Sequence, residues 1–254
     1  MDIYTMKKST KRYYLAVVMP AYNEEQNIEA NLLYTSFTIG KFCDSYQIIA
    51  VNDGSRDDTE AGILSAVRKD SHIVCVSYGQ NKGKGGAIAQ GVAVADAKYI
   101  AFLDSDLELD PKMLRYFLRA LESSDADIAI GSKMHRQSRL DYPLTRKILS
   151  IGYFIILKIL FNLNLKDTQT GIKLFKSSVI KPICKDLQTS GFAFDIEILA
   201  TASAKGYKII ELPVQLKYSR TKTNSSKISF GVIKKMFADT ISIRKKLWNK
   251  KKAR

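Results

Sequence analysis

Five strand-length apolar runs, at 15–19, 47–52, 73–77, 99–103 and 127–131, alternate with helix-like segments at 24–39, 57–69, 83–95 and 111–122. The runs are mostly continuous, as expected where both faces of a sheet are covered. Such repetition predicts an α/β fold: a mostly parallel central sheet with right-handed crossovers and flanking helices. The segment ends agree with this reading. "SRDDTEAGILSAVRK" carries acids in its first turn and Arg68 and Lys69 at its end, as the helix dipole favours. Asp110 can cap the next helix, with Pro111 at its first position.

After about residue 135 the rhythm changes. A long apolar helix at about 143–165 leads to the polar turn "KDTQTG", a short strand "IKLFK" and a helix around "FDIEILATASAKG". A strand in "YKIIELPVQLKY", a polar loop and a basic amphipathic C-terminal helix follow. No linker composition intervenes. The expected organisation is a basic tail at 1–13, one domain at 14–227 and a C-terminal helix and tail at 228–254. "YYLAVVMP" is short, lacks a small-residue cleavage site and runs into a turn, so it reads as a first strand and not as a signal peptide. The apolar stretch 148–165 is interrupted by Lys158 and Asn162 and falls short of the roughly 20 apolar residues of a membrane span.

Composition excludes some chemistry. Cys43, Cys75 and Cys184 are odd in number and widely spaced, which favours a reducing compartment over a disulfide framework. With only His72 and His135, Ser-His-Asp and zinc-hydrolase chemistry have little to work with.

In open α/β sheets ligands sit beyond the carboxyl ends of the strands. Four polar motifs fall at such ends: "PAYNEE" (20–25), "NDGSRDD" (52–58), "GQNKGKGG" (79–86) and "DSDLELD" (104–110). In the last, Asp104, Asp106 and Glu108 recur at two-residue spacing, which on extended backbone sets alternate side chains on one face. They can converge on a hard divalent cation that keeps substrate phosphates in its shell, or form an acidic turn before the next helix. "NKGKGGA" fits neither the Walker pattern nor GxGxxG. What remains is either an ordinary glycine-rich turn or one that brings Lys82 and Lys84 to a helix N-terminus suited to a diphosphate.

"VVMPAYNEEQNI", "VNDGSRDDT", "NKGKGGAI", "FLDSDLELDP", "GSK", "DTQTGIKLF" and "GFAFDIEIL" stand in the order seen in glycosyltransferase family 2. Over roughly residues 14–230 the chain resembles the polyprenyl-phosphate branch of that family, which contains dolichyl-phosphate glucosyltransferases and mannose synthases. "DTQTG" and "FAFDIE" lean towards the glucosyltransferases. Two residues depart from the pattern: Asn52 stands where relatives commonly have a second Asp, and Glu108 where many have Gln.

The resemblance implies a GT-A type nucleotide-sugar-binding fold and inverting transfer of a hexose, glucose before mannose, from UDP-glucose or GDP-mannose to a polyprenyl or dolichyl phosphate. It implies that Pro20, Ala21, Tyr22, Glu24 and Asp53 hold the nucleoside, with Lys84 nearby. Asp104, Asp106 and Glu108 would bind Mg²⁺ or Mn²⁺, and Lys133, Arg220 and Lys227 would face phosphates. Gln169 and Asp195 would contact the sugar. Asp104, Asp106, Arg220 and Asp195 form the expected catalytic set, in which Asp195 or Glu197 could act as a base towards a saccharide acceptor. Cell-surface polysaccharide synthesis is the alternative such an acceptor represents.

Formal net charge is +15, and from Lys217 onward 13 Lys and Arg stand against one acid, Asp239. This pattern fits an interfacial helix at an anionic membrane, a packed helix with a solvated tail, or nucleic-acid binding. Nucleic acid leaves the ordered acidic motifs unexplained. The expectation is therefore a cytoplasmic protein, peripheral on the cytosolic face of a membrane, with no nucleic-acid partner.

Overall fold

A computed structural model describes residues 12–138, 157–161, 163–191, 193–215 and 239–245. In chain order the first half comprises β1 (Tyr13–Ala21), α1 (Ile28–Gly40), β2 (Tyr46–Asp53), α2 (Thr59–Lys69) and β3 (Ile73–Tyr78). It continues with α3 (Lys84–Val94), β4 (Ala97–Leu103), a 3-10 turn (Pro111–Met113), α4 (Leu114–Ser123) and β5 (Ile128–Ser132). Then come β6 (Ile172–Lys176), α5 (Ser177–Lys185), α6 (Phe194–Ala204) and β7 (Ile209–Pro213). Residues 157–161 and 239–245 are also helical.

The strands form one seven-stranded sheet in the order β3-β2-β1-β4-β6-β5-β7. Pairing is parallel among β3, β2, β1 and β4 and again between β5 and β7. Only β6 runs against its neighbours, pairing antiparallel with both β4 and β5. The sheet is mostly parallel, as expected, with one reversed strand whose N-terminal end reaches the edge where the parallel strands finish.

The continuous apolar runs follow from burial on both faces. Along β1, Leu15, Val17 and Met19 join Ile28 and Leu32 of α1, Ile63 of α2 and Phe117 of α4. Ala16 and Val18 point the other way, into a cluster with Ile88 of α3, Ile180 of α5 and Phe194 of α6. The helices are therefore divided between the two faces. Asp110 caps as expected, its carboxylate accepting from the Lys112 N–H at 3.0 Å with Pro111 at the first position. Expected α1 begins late: Glu24 to Asn27 form a turn whose Glu24 carbonyl accepts from the Asn27 and Ile28 N–H groups. Helix α5, with Pro182 inside it, had no counterpart among the sequence expectations.

All three cysteines are reduced and buried. Among the described residues no helix is long and apolar enough to cross a membrane. The apolar helix expected at 143–165 lies mostly outside those residues. Its described end places Leu157 in a small cluster with Ala193, Ile196 and Ile243. Helix 239–245 is tied to the body through Ile243 and fully buried Thr240, leaving Ile241 exposed. That part of the basic C-terminal segment is a packed helix.

Candidate active site

A cavity of about 440 Å³ opens at the carboxyl ends of β1, β2 and β4. Its size falls in the roughly 300–1,000 Å³ range of small-molecule sites. Of the expected residues it gathers Pro20, Ala21, Tyr22, Glu24, Asp53, Lys84, Asp104 and Asp106, joined by Asn81, Gly83, Ser105 and Gly191. The parallel pairing explains the convergence, because strands in register finish at one edge.

The first two loops hold one another in place. The Asn23 and Glu24 N–H groups donate to Ser55 Oγ and Thr59 Oγ1, at 3.1 and 2.8 Å. In return, the Arg56 N–H donates to Asn23 Oδ1 at 3.0 Å. Asn23 has φ 55°, a left-handed conformation that asparagine accepts more readily than most residues. Asn52, the first departure from the family pattern, is turned away from the cavity lining. It donates from Nδ2 to Ser77 Oγ and accepts at Oδ1 from the Ser55 N–H. Asn52 is thus a loop strut.

Asp53 is buried and braces the β3–α3 loop, its Oδ1 accepting from the Tyr78 hydroxyl at 2.7 Å and the Lys82 N–H at 2.8 Å. Burial, then the Asp53 hydrogen bond and charge, push the Tyr78 phenol up, so it stays a donor. Two more backbone donors of the turn are committed. The Gly83 N–H goes to Asn81 Oδ1 and the Gly85 N–H to the Ser190 carbonyl.

The glycine-rich turn brings Asn81, Gly83 and Lys84 to the cavity and does a second thing as well. Its glycines allow a second loop to dock. A Cβ on Gly83 (φ 76°) would lie 2.6 Å from the Ser190 carbonyl, and one on Gly85 would lie 2.6 Å from the Thr189 carbonyl. That second loop is pinned by Glu197, whose carboxylate accepts from the Thr189 N–H at 2.8 Å and the Gln188 N–H at 3.2 Å. Glu197 is thus a buried strut and not an available base.

From the end of β4 the chain turns tightly. The Leu107 N–H reaches the Asp104 carbonyl, and Leu107 takes φ 51°. This is a left-handed conformation that costs a non-glycine residue of order 1 kcal/mol and often marks a functional loop. The Glu108 N–H donates to Asp106 Oδ1 at 3.1 Å. Asp104 is set from behind by Gly171, whose carbonyl accepts its N–H. A Cβ on Gly171 would come within 2.6 Å of Asp104 Cγ. Gly171→Ala is therefore expected to displace Asp104 and lower turnover about 100-fold, the typical effect of a 1 Å misplacement. Unfolding should report at most about 1–3 kcal/mol of overpacking. Unchanged kcat would mean that Asp104 needs no such support.

Lys84, the first residue of α3, places Nζ 2.6 Å from Asp104 Oδ1. Desolvation pulls its pKa down but is outweighed by Asp104, Asp195 and Asp106, so the ammonium is held above its ordinary range. Asp195 does not line the cavity. It lies behind it, paired with Lys173 at 2.7 Å, with side-chain exposures of 7% and 3%. Burial raises the Asp195 carboxyl, opposed first by Lys173 and then by Lys84.

Neither Gln169 nor Lys133 lines the cavity. Their backbones share one anchor, Asp167, whose carboxylate accepts from the Lys133 N–H at 2.9 Å and the Gln169 N–H at 3.1 Å. Arg220 and Lys227 lie outside the described residues.

Among the described residues no three His, Cys, Asp or Glu side chains gather as a metal cluster, and Glu108 is not part of the lining. Of the three expected carboxylates, Asp104 and Asp106 are the two in the lining. Two carboxylates still fit a hard cation of the Mg²⁺ or Mn²⁺ kind, which characteristically takes one or two carboxylates and completes its shell with water and phosphate oxygens.

Residues 16–184 match the sequence profile of Glycosyl transferase family 2. The chain belongs to this family. Among relatives of this family 2 chain is a dolichyl-phosphate beta-glucosyltransferase of Saccharomyces cerevisiae, 32% identical over 91% of this chain and 74% of the yeast protein. Another of the same name, from Dictyostelium discoideum, is 31% identical over 94% of this chain and 76% of its own. Glucosyl-3-phosphoglycerate synthase from Mycobacterium tuberculosis, solved with Mn²⁺, UDP-glucose and phosphoglyceric acid, superposes with a TM-score of 0.68 at 19% identity. The match covers 91% of this chain and 80% of the mycobacterial one. The fold of this family 2 chain is accordingly the GT-A type, with β6 as its reversed strand.

Proposed function

We propose that the chain transfers glucose from UDP-glucose to dolichyl or a related polyprenyl phosphate, with inversion at the anomeric carbon. The observation that carries this reading is the single cavity joining Pro20–Tyr22, Asp53, Lys84, Asp104 and Asp106. Relatives named dolichyl-phosphate beta-glucosyltransferase favour the lipid-phosphate acceptor and glucose. The Mn²⁺ and UDP-glucose of the mycobacterial neighbour support a divalent cation and a uridine donor.

Pro20, Ala21, Tyr22, Glu24 and Asp53 surround the nucleoside in this proposal, and Asp104 and Asp106 hold Mg²⁺ or Mn²⁺ against the diphosphate. When bound, the cation supplies positive charge where the leaving group gains negative charge. A lipid-phosphate oxygen attacks the anomeric carbon as the bond to the β-phosphate oxygen breaks, and the electron pair departs with UDP. No proton need be removed, because the acceptor is already anionic near neutral pH. This agrees with the placement of Asp195 and Glu197, each held inside the protein and outside the cavity lining. Lys84 stands ready to neutralise phosphate charge, with Lys133, Arg220 and Lys227 proposed for the remaining phosphates.

A dolichyl tail stays in the bilayer, so the cavity must come to the headgroup plane. The basic C-terminal segment provides electrostatic attraction of about 1 kcal/mol per residue near an anionic leaflet. We infer a peripheral enzyme at the cytosolic face.

The direct test offers UDP-glucose or GDP-mannose with vesicles containing dolichyl phosphate and Mn²⁺, following nucleoside diphosphate release and lipid-extractable label. UDP release with labelled lipid, halted by chelator, is expected. Labelling only of added saccharides would overturn the acceptor, and chelator-insensitive transfer would overturn the metal.

A further inference from the structure

Four charges alternate from the protein interior to the cavity: Lys173, Asp195, Lys84 and Asp104. The inner pair is sealed, at 2.7 Å and nearly without exposure. The outer pair, at 2.6 Å, is about one-third exposed at both partners. Lys84 therefore has an immobile carboxylate behind it and a ligand-facing one before it.

Its position is otherwise unfavourable. Lys84 opens α3, and the positive end of a helix dipole disfavours an ammonium there. Docking of Gly83 and Gly85 on Thr189 and Ser190 fixes the backbone on either side, so motion is left to the side chain. Asp104 is backed by Gly171, which stands against its carboxylate. The ammonium thus occupies Asp104 Oδ1, one of the two oxygens the carboxylate can offer a cation, and sets a positive charge beside that site.

Resting on the nucleotide-sugar reading above, we propose that Lys84 is a built-in counter-ion that makes divalent-cation and nucleoside-diphosphate binding depend on each other. In the free enzyme Lys84 competes with the cation for Asp104. An arriving diphosphate offers the ammonium another anionic partner, and Asp104 is released to the cation. Neither ligand then binds fully well alone. By linkage the effect is reciprocal, and such couplings commonly span about 5- to 150-fold.

The experiment titrates the full chain with Mn²⁺ with and without UDP, reading free Mn²⁺ by electron paramagnetic resonance. UDP should tighten wild-type Mn²⁺ binding within that 5- to 150-fold range. In Lys84→Met, and in Lys84→Gln as a second neutral variant with closer hydrogen-bonding capacity, Mn²⁺ alone should bind more tightly than to wild type. UDP alone should bind more weakly, and the coupling should fall below that of wild type, to what direct attraction between cation and diphosphate leaves. Circular dichroism identifies whichever variant has folded. Lys84→Arg keeps the charge and should keep most of the coupling.

A folded neutral variant that binds Mn²⁺ alone no better than wild type, or that keeps the wild-type coupling, overturns the counter-ion role. The proposed function would still stand on the wild-type titration. Wild type that binds neither Mn²⁺ nor UDP overturns both at once, which separates the two failures.

Discussion

Asp106→Asn is expected to reduce turnover by about 10²–10³ while leaving the unfolding midpoint unchanged. The magnitude is that of losing one preorganised electrostatic contact to the charge developing in a transition state. Stability is spared because Asp106 is exposed beyond the end of β4 and lies in no buried cluster. The substitution keeps shape and removes a charge, so raised Mn²⁺ should recover part of the loss. Single-turnover transfer and calorimetry on the same preparation check both halves. Turnover within threefold of wild type would remove Asp106 from the proposed cation site.

Lys173→Met should behave in the opposite way, as a stability variant first. Breaking a buried ion pair from one side typically costs about 3–5 kcal/mol, since the remaining charge is left without its partner. Asp195 is that charge, its pKa already raised by burial and restrained by Lys173. Without the lysine its folded pKa should climb further above the unfolded value of about 3.9. A group raised in this way contributes stability that is fully present below the unfolded pKa and lost as pH rises through the folded one. The deficit of Lys173→Met should therefore be largest at neutral and alkaline pH and shrink as pH falls towards 4. Urea unfolding of both proteins across that window tests the sign. A deficit independent of pH would show that Asp195 does not carry the charge.

Much of this was legible in the sequence because it is local. Continuous apolar runs between helix-like segments locate β1 to β4 within a few residues, since burial on both faces writes itself into each run. All four polar strand ends reach the cavity through expected residues for the same reason: parallel strands finish at one edge. The second task of the glycine-rich turn, receiving another loop, was hidden because composition reports conformational freedom and not its use. In the fold, Gly83 and Gly85 receive a loop more than a hundred positions away in sequence. Asp167, Lys173 and Gly171 were missed as supporting residues. Their partners, Lys133, Asp195 and Asp104, lie 22 to 67 positions away, and no periodicity encodes such pairings. A lysine inside the buried run "IKLFK" was the one available clue, because a charge there needs an opposite charge close by.

The reversed strand also sets a schedule for synthesis. Strand β4 ends at Leu103, yet its outer partner begins only at Ile172. While the intervening residues are being made, β4 presents an unpaired edge, and β5 has neither of its neighbours. Such an edge is a template for association between nascent chains. Ribosome pausing or truncation between residues 103 and 172 should therefore yield aggregation-prone fragments, and Gly171, the support of Asp104, arrives with the strand that closes the gap.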